Sequence, residues 1–111
     1  MVVDKLIFTN YEDYTRVFDA FSHPMRIKIA GVIATERKYV SELAKEMQMS
    51  RPLLYMHLKK LEEADLVTSS YEISDSGKTM KFYELRDFSL VFGSQLLAEL
   101  SPTIPIITKE K

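Results

Sequence analysis

The segment Val40–Val67, VSELAKEMQMSRPLLYMHLKKLEEADLV, constrains this chain more than any other stretch. Its apolar residues recur at helical offsets on both sides of one polar break. Leu43, Ala44 and Met47 make a short stripe; Leu54, Leu58 and Leu61, at i, i+4 and i+7, make a second. Between them Gln48-Met49 leaves room only for a tight turn. Ser41 is suited to cap the first helix. Ser50 is suited to cap the second, because a serine hydroxyl accepts a backbone N–H that otherwise lacks a partner. Pro52 falls in that helix's first turn, where proline is tolerated. A short helix, a tight turn and a longer helix in this order predict a helix-turn-helix.

The flanking sequence supplies surfaces for those stripes to pack on. Asn10 with Asp13 three residues later reads as an N-cap and its partner. Tyr11, Tyr14, Phe18 and Phe21 then share one helical face. Pro24 opens a second helix, capped by Ser22 or His23, with Ile29, Val32 and Ile33 inward and Arg26 and Lys28 in water. Thr35–Lys38 is a polar break, and Tyr39-Val40 suits a short strand. Leu66–Ile73 and Thr79–Leu85 are rich in β-branched and aromatic residues, and the polar connection between them contains Gly77. That combination predicts a hairpin, and a hairpin directly after a helix-turn-helix is a wing. Phe88–Leu100 reads as a last helix with Leu90, Val91, Leu97 and Leu100 apolar, ended by two prolines. The acids Glu62, Glu63 and Asp65 crowd the C-terminal end of the longer motif helix, against its dipole; the sequence offers no reason for this.

The expected fold is therefore mainly α with a small β-hairpin, a winged helix-turn-helix with extra N- and C-terminal helices. It occupies 1–111 as a single domain: an N-terminal dimerisation helix in 1–23, the winged core in 24–87, and a C-terminal dimerisation helix and tail in 88–111. The length fits one domain. No cysteine is present, which removes disulfides and thiolate metal sites. The N-terminus lacks the pattern of a secretory signal, and no apolar run reaches the roughly 20 residues of a membrane span. A cytoplasmic protein without a membrane partner is expected. Catalysis has no candidate constellation: no nucleophile triad, glycine-rich phosphate loop or spaced metal cluster stands out, so the chain reads as no enzyme, with no cofactor.

Net charge is −1, but it is unevenly spread. Between Arg26 and Lys60 stand eight basic residues and three acids, so this segment carries +5 and the remainder −6. The local field, rather than the total, governs an encounter with DNA.

Three pieces of the chain together resemble the ArsR-like winged-helix transcriptional regulators. Ser22-His23-Pro24-Met25-Arg26 followed by Ile29 is similar to the family's opening. Glu42-Leu43-Ala44, then Ser50-Arg51-Pro52 and His57-Leu58-Lys59, resembles its helix-turn-helix. Lys78–Leu85, with Phe82-Tyr83, resembles the second strand of its wing. The likeness spans roughly residues 18 to 87. Gln48 stands where the family usually has glycine in the turn, and Asp65 where it has the glycine that ends the recognition helix. Tyr39 and Ser41 occupy the family's thiolate positions and no histidine follows His57, so metal sensing at either family site is not expected.

The resemblance implies a regulator whose helix 50–64 reads the major groove of double-stranded DNA and whose wing 66–85 lies along the backbone or the minor groove. Ser50, Arg51, Pro52, Leu53, Tyr55, Met56 and Lys59 are the helix candidates; Gly77, Lys78 and Lys81 are the wing candidates. Arg51 suits either bidentate bonding to guanine O6 and N7 or a phosphate contact. Leu53 and Met56 suit thymine methyls, Tyr55 a phosphate; packing on a protein partner is the alternative for the same three. Lys59 suits a phosphate. His57 is a packing or phosphate-facing residue rather than a ligand. Reading a palindrome takes two copies, so the flanking helices are expected to pair as a homodimer through Tyr14, Phe18, Phe21, Leu90, Leu97 and Leu100. A repressor is the simplest reading. The alternatives are a protein-interaction module, or a regulator gated by an apolar small-molecule effector between the terminal helices.

Overall fold

A computed structural model describes residues 5–106. It contains α1 (Tyr11–Ala20), α2 (Pro24–Thr35), β1 (Lys38–Tyr39), α3 (Val40–Met47), α4 (Arg51–Glu63), β2 (Val67–Ile73), β3 (Thr79–Leu85) and α5 (Ser94–Leu100), then a 3₁₀ turn at Ser101–Thr103. The sheet is antiparallel, in the order β1-β3-β2. Leu54, Leu58 and Leu61 of α4, Ile29 and Ile33 of α2, Leu43 of α3 and Tyr83 of β3 close the core between the helices and the sheet. Val32 packs half-buried at its margin. This is the winged helix-turn-helix expected from the sequence.

Local chemistry explains where the elements begin. Asn10 Oδ1 accepts from the Asp13 N–H at 2.9 Å, and the Asp13 carboxylate accepts from Asn10 N–H in return, a closed capping box. His23, not Ser22, caps α2, its Nδ1 accepting from the Met25 N–H at 3.1 Å. Ser50 caps α4 through its hydroxyl, which accepts from the Leu53 N–H.

Both helices of the motif end in the same way. The N–H of Met49 bonds the Ala44 carbonyl, and that of Leu66 bonds the Leu61 carbonyl, each flanked by a residue in the left-handed region. Those residues are Gln48 (φ 54°) and Asp65 (φ 61°), at the two positions where the resembled family has glycine. The crowded acids of α4 find their counterweight here. The Arg86 guanidinium donates to the Asp65 carbonyl at 3.2 Å, placing a cation on the negative end of the helix.

Four expectations are corrected. Ser41 lies inside α3; its N-cap is Tyr39, whose N–H donates to Glu42 Oε1 at 3.2 Å. Val40 accordingly belongs to the helix and not to a strand. Arg26 is half-buried, donating from Nε to the Ala20 carbonyl at 2.6 Å and from its guanidinium to His57 Nδ1 at 3.2 Å. The last helix begins at Ser94, so Leu90 and Val91 stand on an irregular segment rather than a helix. There Phe88 and Leu90 turn back onto the core, while Val91 is 90% exposed.

Candidate nucleic-acid interface

α4 divides cleanly into two faces. Leu54, His57, Leu58 and Leu61 are buried. Arg51, Pro52, Leu53, Tyr55, Met56 and Lys59 are exposed, Met56 most openly of the apolar ones at 66%. The Ser50 cap fixes the entry of the chain, so Arg51 leaves the first turn at a defined angle. Lys60, left out of the sequence-based set, is also exposed, one helical turn after Met56.

The wing is a regular hairpin, paired from Val67↔Leu85 to Ile73↔Thr79. Its turn closes through Gly77 N–H to the Ser74 carbonyl and Ser74 N–H to the Lys78 carbonyl, both 2.8 Å. Gly77 adopts φ +85°, which side-chain-bearing residues rarely take, so glycine is required there. Lys78 projects beside it in solvent.

Two contacts hold the wing at a fixed distance from the motif. Arg37, in the turn before β1, forms a bidentate pair with Glu72 of β2, and its guanidinium lies 4.1 Å over the Phe82 ring. The pair lowers the Glu72 carboxyl below its ordinary range. On the other side Lys81 reaches into a ring of tyrosines: its Nζ is 5.2 Å from the centre of Tyr83, 5.6 Å from Tyr71 and 5.9 Å from Tyr55. Tyr71 stands opposite Lys81 in the β2–β3 register, while Tyr55 comes from α4. The Tyr83 hydroxyl, then burial opposing it, sets the Lys81 amine, whose affinity for its proton is raised overall. Lys81 is thus half-buried and tied up among rings, unlike Lys78.

Between α4 and the wing lies an open cleft of about 630 Å³. Arg51, Lys78 and Lys81 line it together with Tyr39, Tyr55, Tyr71 and the hydroxyls of Ser41, Ser74 and Ser76; no carboxylate lines it. Seven of the ten candidates are thus exposed on α4 or its cap; Arg51 and Tyr55 of these line the cleft with Lys78 and Lys81 of the wing, and Gly77 lies in the wing turn outside its lining. Sequence reasoning missed Tyr71 and the serines. The alternation of β2 against β3 was the available signal, since Tyr71 is the strand partner of Lys81.

His57 is buried on the opposite face of α4. Its ring stands edge-on to His23 at 4.7 Å and accepts from Arg26. Burial first, and then the neighbouring His23 and Arg26, push its pKa below the usual histidine value. Two histidines flanking a guanidinium make a poor cation site, and among the described residues no cluster of three potential ligands is found.

The aromatic face of α1 meets the segment before α5. Tyr14 packs on Phe18 (6.4 Å between ring centres), Phe18 on Phe92 (4.7 Å) and Phe21 on Phe88 (6.3 Å). Of the six residues expected at a dimer interface, Phe18 and Leu97 are exposed. Tyr14 and Leu100 are half-covered, and Phe21 and Leu90 lean on the core. Among the described residues no helix is long and apolar enough to cross a membrane.

Comparison with known proteins agrees with this architecture. Residues 23–69 match the bacterial regulatory protein, arsR family. An uncharacterized HTH-type transcriptional regulator of Methanocaldococcus jannaschii is 35% identical over 88 residues, spanning 79% of this chain and 92% of that protein. Among solved structures, HlyU from Vibrio cholerae is similar with a TM-score of 0.61 at 21% identity, over 87% of this chain and 94% of that one. NolR from Sinorhizobium fredii is similar with a TM-score of 0.57 at 22% identity, over 84% and 82%. The helix-turn-helix, its wing and these likenesses coincide on the same residues: the chain belongs to the ArsR family of winged-helix transcriptional regulators.

Proposed function

We propose that the protein is a homodimeric repressor that binds double-stranded DNA in the cytoplasm and blocks promoter access. α4 enters the major groove, with Arg51 reading a base edge and Lys59 holding a phosphate. The wing follows the backbone through Gly77 and Lys78. The observation that carries this reading is the cleft between α4 and the wing, lined by three cations and no carboxylate, beside an α4 face free of its own polypeptide. The exposed aromatic and aliphatic residues of α1 and the C-terminal segment support a two-fold partner.

Selection of bound sequences from random duplexes, repeated with Arg51→Ala, tests the assignment. Loss of preference at one base position, with most affinity kept, is the expected result. A uniform loss makes Arg51 a phosphate anchor. Exposed Leu53, Tyr55 and Met56 favour a second reading, a protein-binding module. Binding to a partner that is insensitive to salt, with no selected DNA sequence, would establish that one instead.

A further inference from the structure

The wing carries near its tip an apolar residue that the rest of the fold leaves in solvent. Ile73 is 75% exposed, the most exposed large apolar side chain of the hairpin. It pairs with Thr79 at the turn end of the ladder, two residues beyond the pair Tyr71↔Lys81. Residues directly opposite, and residues two apart along a strand, share a sheet face. Ile73 therefore shares its face with Tyr71, Thr79 and Lys81, all three of which line the cleft, and stands at the outer end of that face.

The other residues of the tip are engaged or unsuited to a groove of DNA. The Ser74 and Ser76 hydroxyls bond each other at 3.0 Å, and Ser74 Oγ also accepts from the Lys78 N–H at 3.1 Å. Asp75 is exposed and stands outside the cleft lining, and the negative potential of the minor groove repels a carboxylate. Gly77 has no side chain, which keeps the tip slim.

We infer that Ile73 enters the minor groove next to the major groove read by α4, and that it selects A·T pairs there. This deepens the DNA-binding reading above and rests on it. With α4 in the major groove, the phosphate ridge between the two grooves falls in the cleft, which three cations and no carboxylate line. The Arg37–Glu72 pair and the Lys81 contacts then hold the wing on the far side of that ridge. The seven-pair hairpin is roughly 20 Å long, enough to cross it. The minor groove is only ~6 Å wide, so a side chain enters rather than the ribbon. On its floor adenine shows a C2–H where guanine carries the N2 amino group. Isoleucine packs on the first. It cannot bond the second, and it strips the amino group of its water. Apolar wedges are a recurrent device of proteins that bind this groove.

The test is selection from random duplexes by wild type and by Ile73→Ser, a change in solvent that leaves the core intact. Wild type should require A·T at one or two positions outside each half-site read by α4. Ile73→Ser should lose that requirement and keep the half-site. With wild type, G·C at such a position should weaken binding about tenfold. Inosine in place of that guanine removes the N2 amino group without altering the major-groove edge, and should restore affinity. Lys78→Ala should weaken every duplex alike and keep the A·T preference. The assignment falls, with the DNA-binding reading intact, if wild type accepts G·C equally beside a selected half-site. It falls likewise if inosine fails to restore binding, or if the preference survives Ile73→Ser or disappears with Lys78→Ala. Failure to select any sequence overturns both readings.

Discussion

Arg26 and His57 show how much one side-chain contact can decide. Arg26 bonds the last carbonyl of α1, belongs to α2, and donates to a buried ring on α4, so three helices meet at one guanidinium. A guanidinium only donates, so the accepting Nδ1 must be bare and the neutral ring carries its proton on Nε2. Protonating His57 would destroy that bond and set two cations side by side near His23. The folded chain therefore holds this proton less tightly than the unfolded chain, where a histidine titrates near ~6.5. Stability from this group is complete above that pH and declines as the pH falls below it. Thermal melts at pH 7.5 and 5.5 should give a lower Tm at the acid value. His57→Gln should flatten the difference; an unchanged slope would show that the site does not carry it. Nearby Leu58 is fully buried, and Leu58→Ala should cost about 2–5 kcal/mol in a denaturant melt.

At the level of elements, both motif helices end in a residue that bears a side chain in the left-handed region. Such a conformation costs an L-residue roughly 1–2 kcal/mol, less for aspartate. Gln48→Gly, at φ 54°, should therefore raise Tm by several degrees, and Asp65→Gly by less. These ends were legible only through the resemblance, which puts glycine at both positions; Gln48 and Asp65 carry no such local signal of their own. The wing was legible through β-branched runs and glycine. The segment before α5 was misread. Phe88, Leu90 and Phe92 recur every second residue, a strand-like period that packs one side of an extended chain, but the surrounding apolar residues also satisfy a helical count. The Lys81 cage was only partly legible: Tyr83 lies two residues on along β3 and Tyr71 opposite in the hairpin, but nothing local brings Tyr55 of α4 to them. Its consequence can be measured. Lys81 braces the wing against α4 instead of reaching for phosphate, so Lys81→Met should reduce DNA affinity while leaving its salt dependence unchanged. A reduced slope would return Lys81 to the list of phosphate contacts.

Over the whole molecule, the +5 segment overstates the charge available to DNA. Glu72 claims Arg37 and Glu46 claims Lys38, so neither is free to neutralise a phosphate. Arg51, Lys59 and Lys78 are exposed, and none is in an ion pair among the described residues. With Arg51 on a base edge, Lys59 and Lys78 give four phosphate contacts in a dimer. Each phosphate neutralised adds about −0.9 to the slope of log affinity against log salt, so the predicted slope is roughly −3.6. Affinity should then drop about 150-fold between 50 and 200 mM salt. Lys78→Ala removes one contact per chain and should flatten the slope by about 2 in the dimer. It should do so equally on every duplex, because a wing-tip phosphate contact carries no base information. A slope that changes by only about 1 would mean one wing engaged per operator. The two reading helices would then not be spaced one DNA turn apart, as symmetric binding to a palindrome requires.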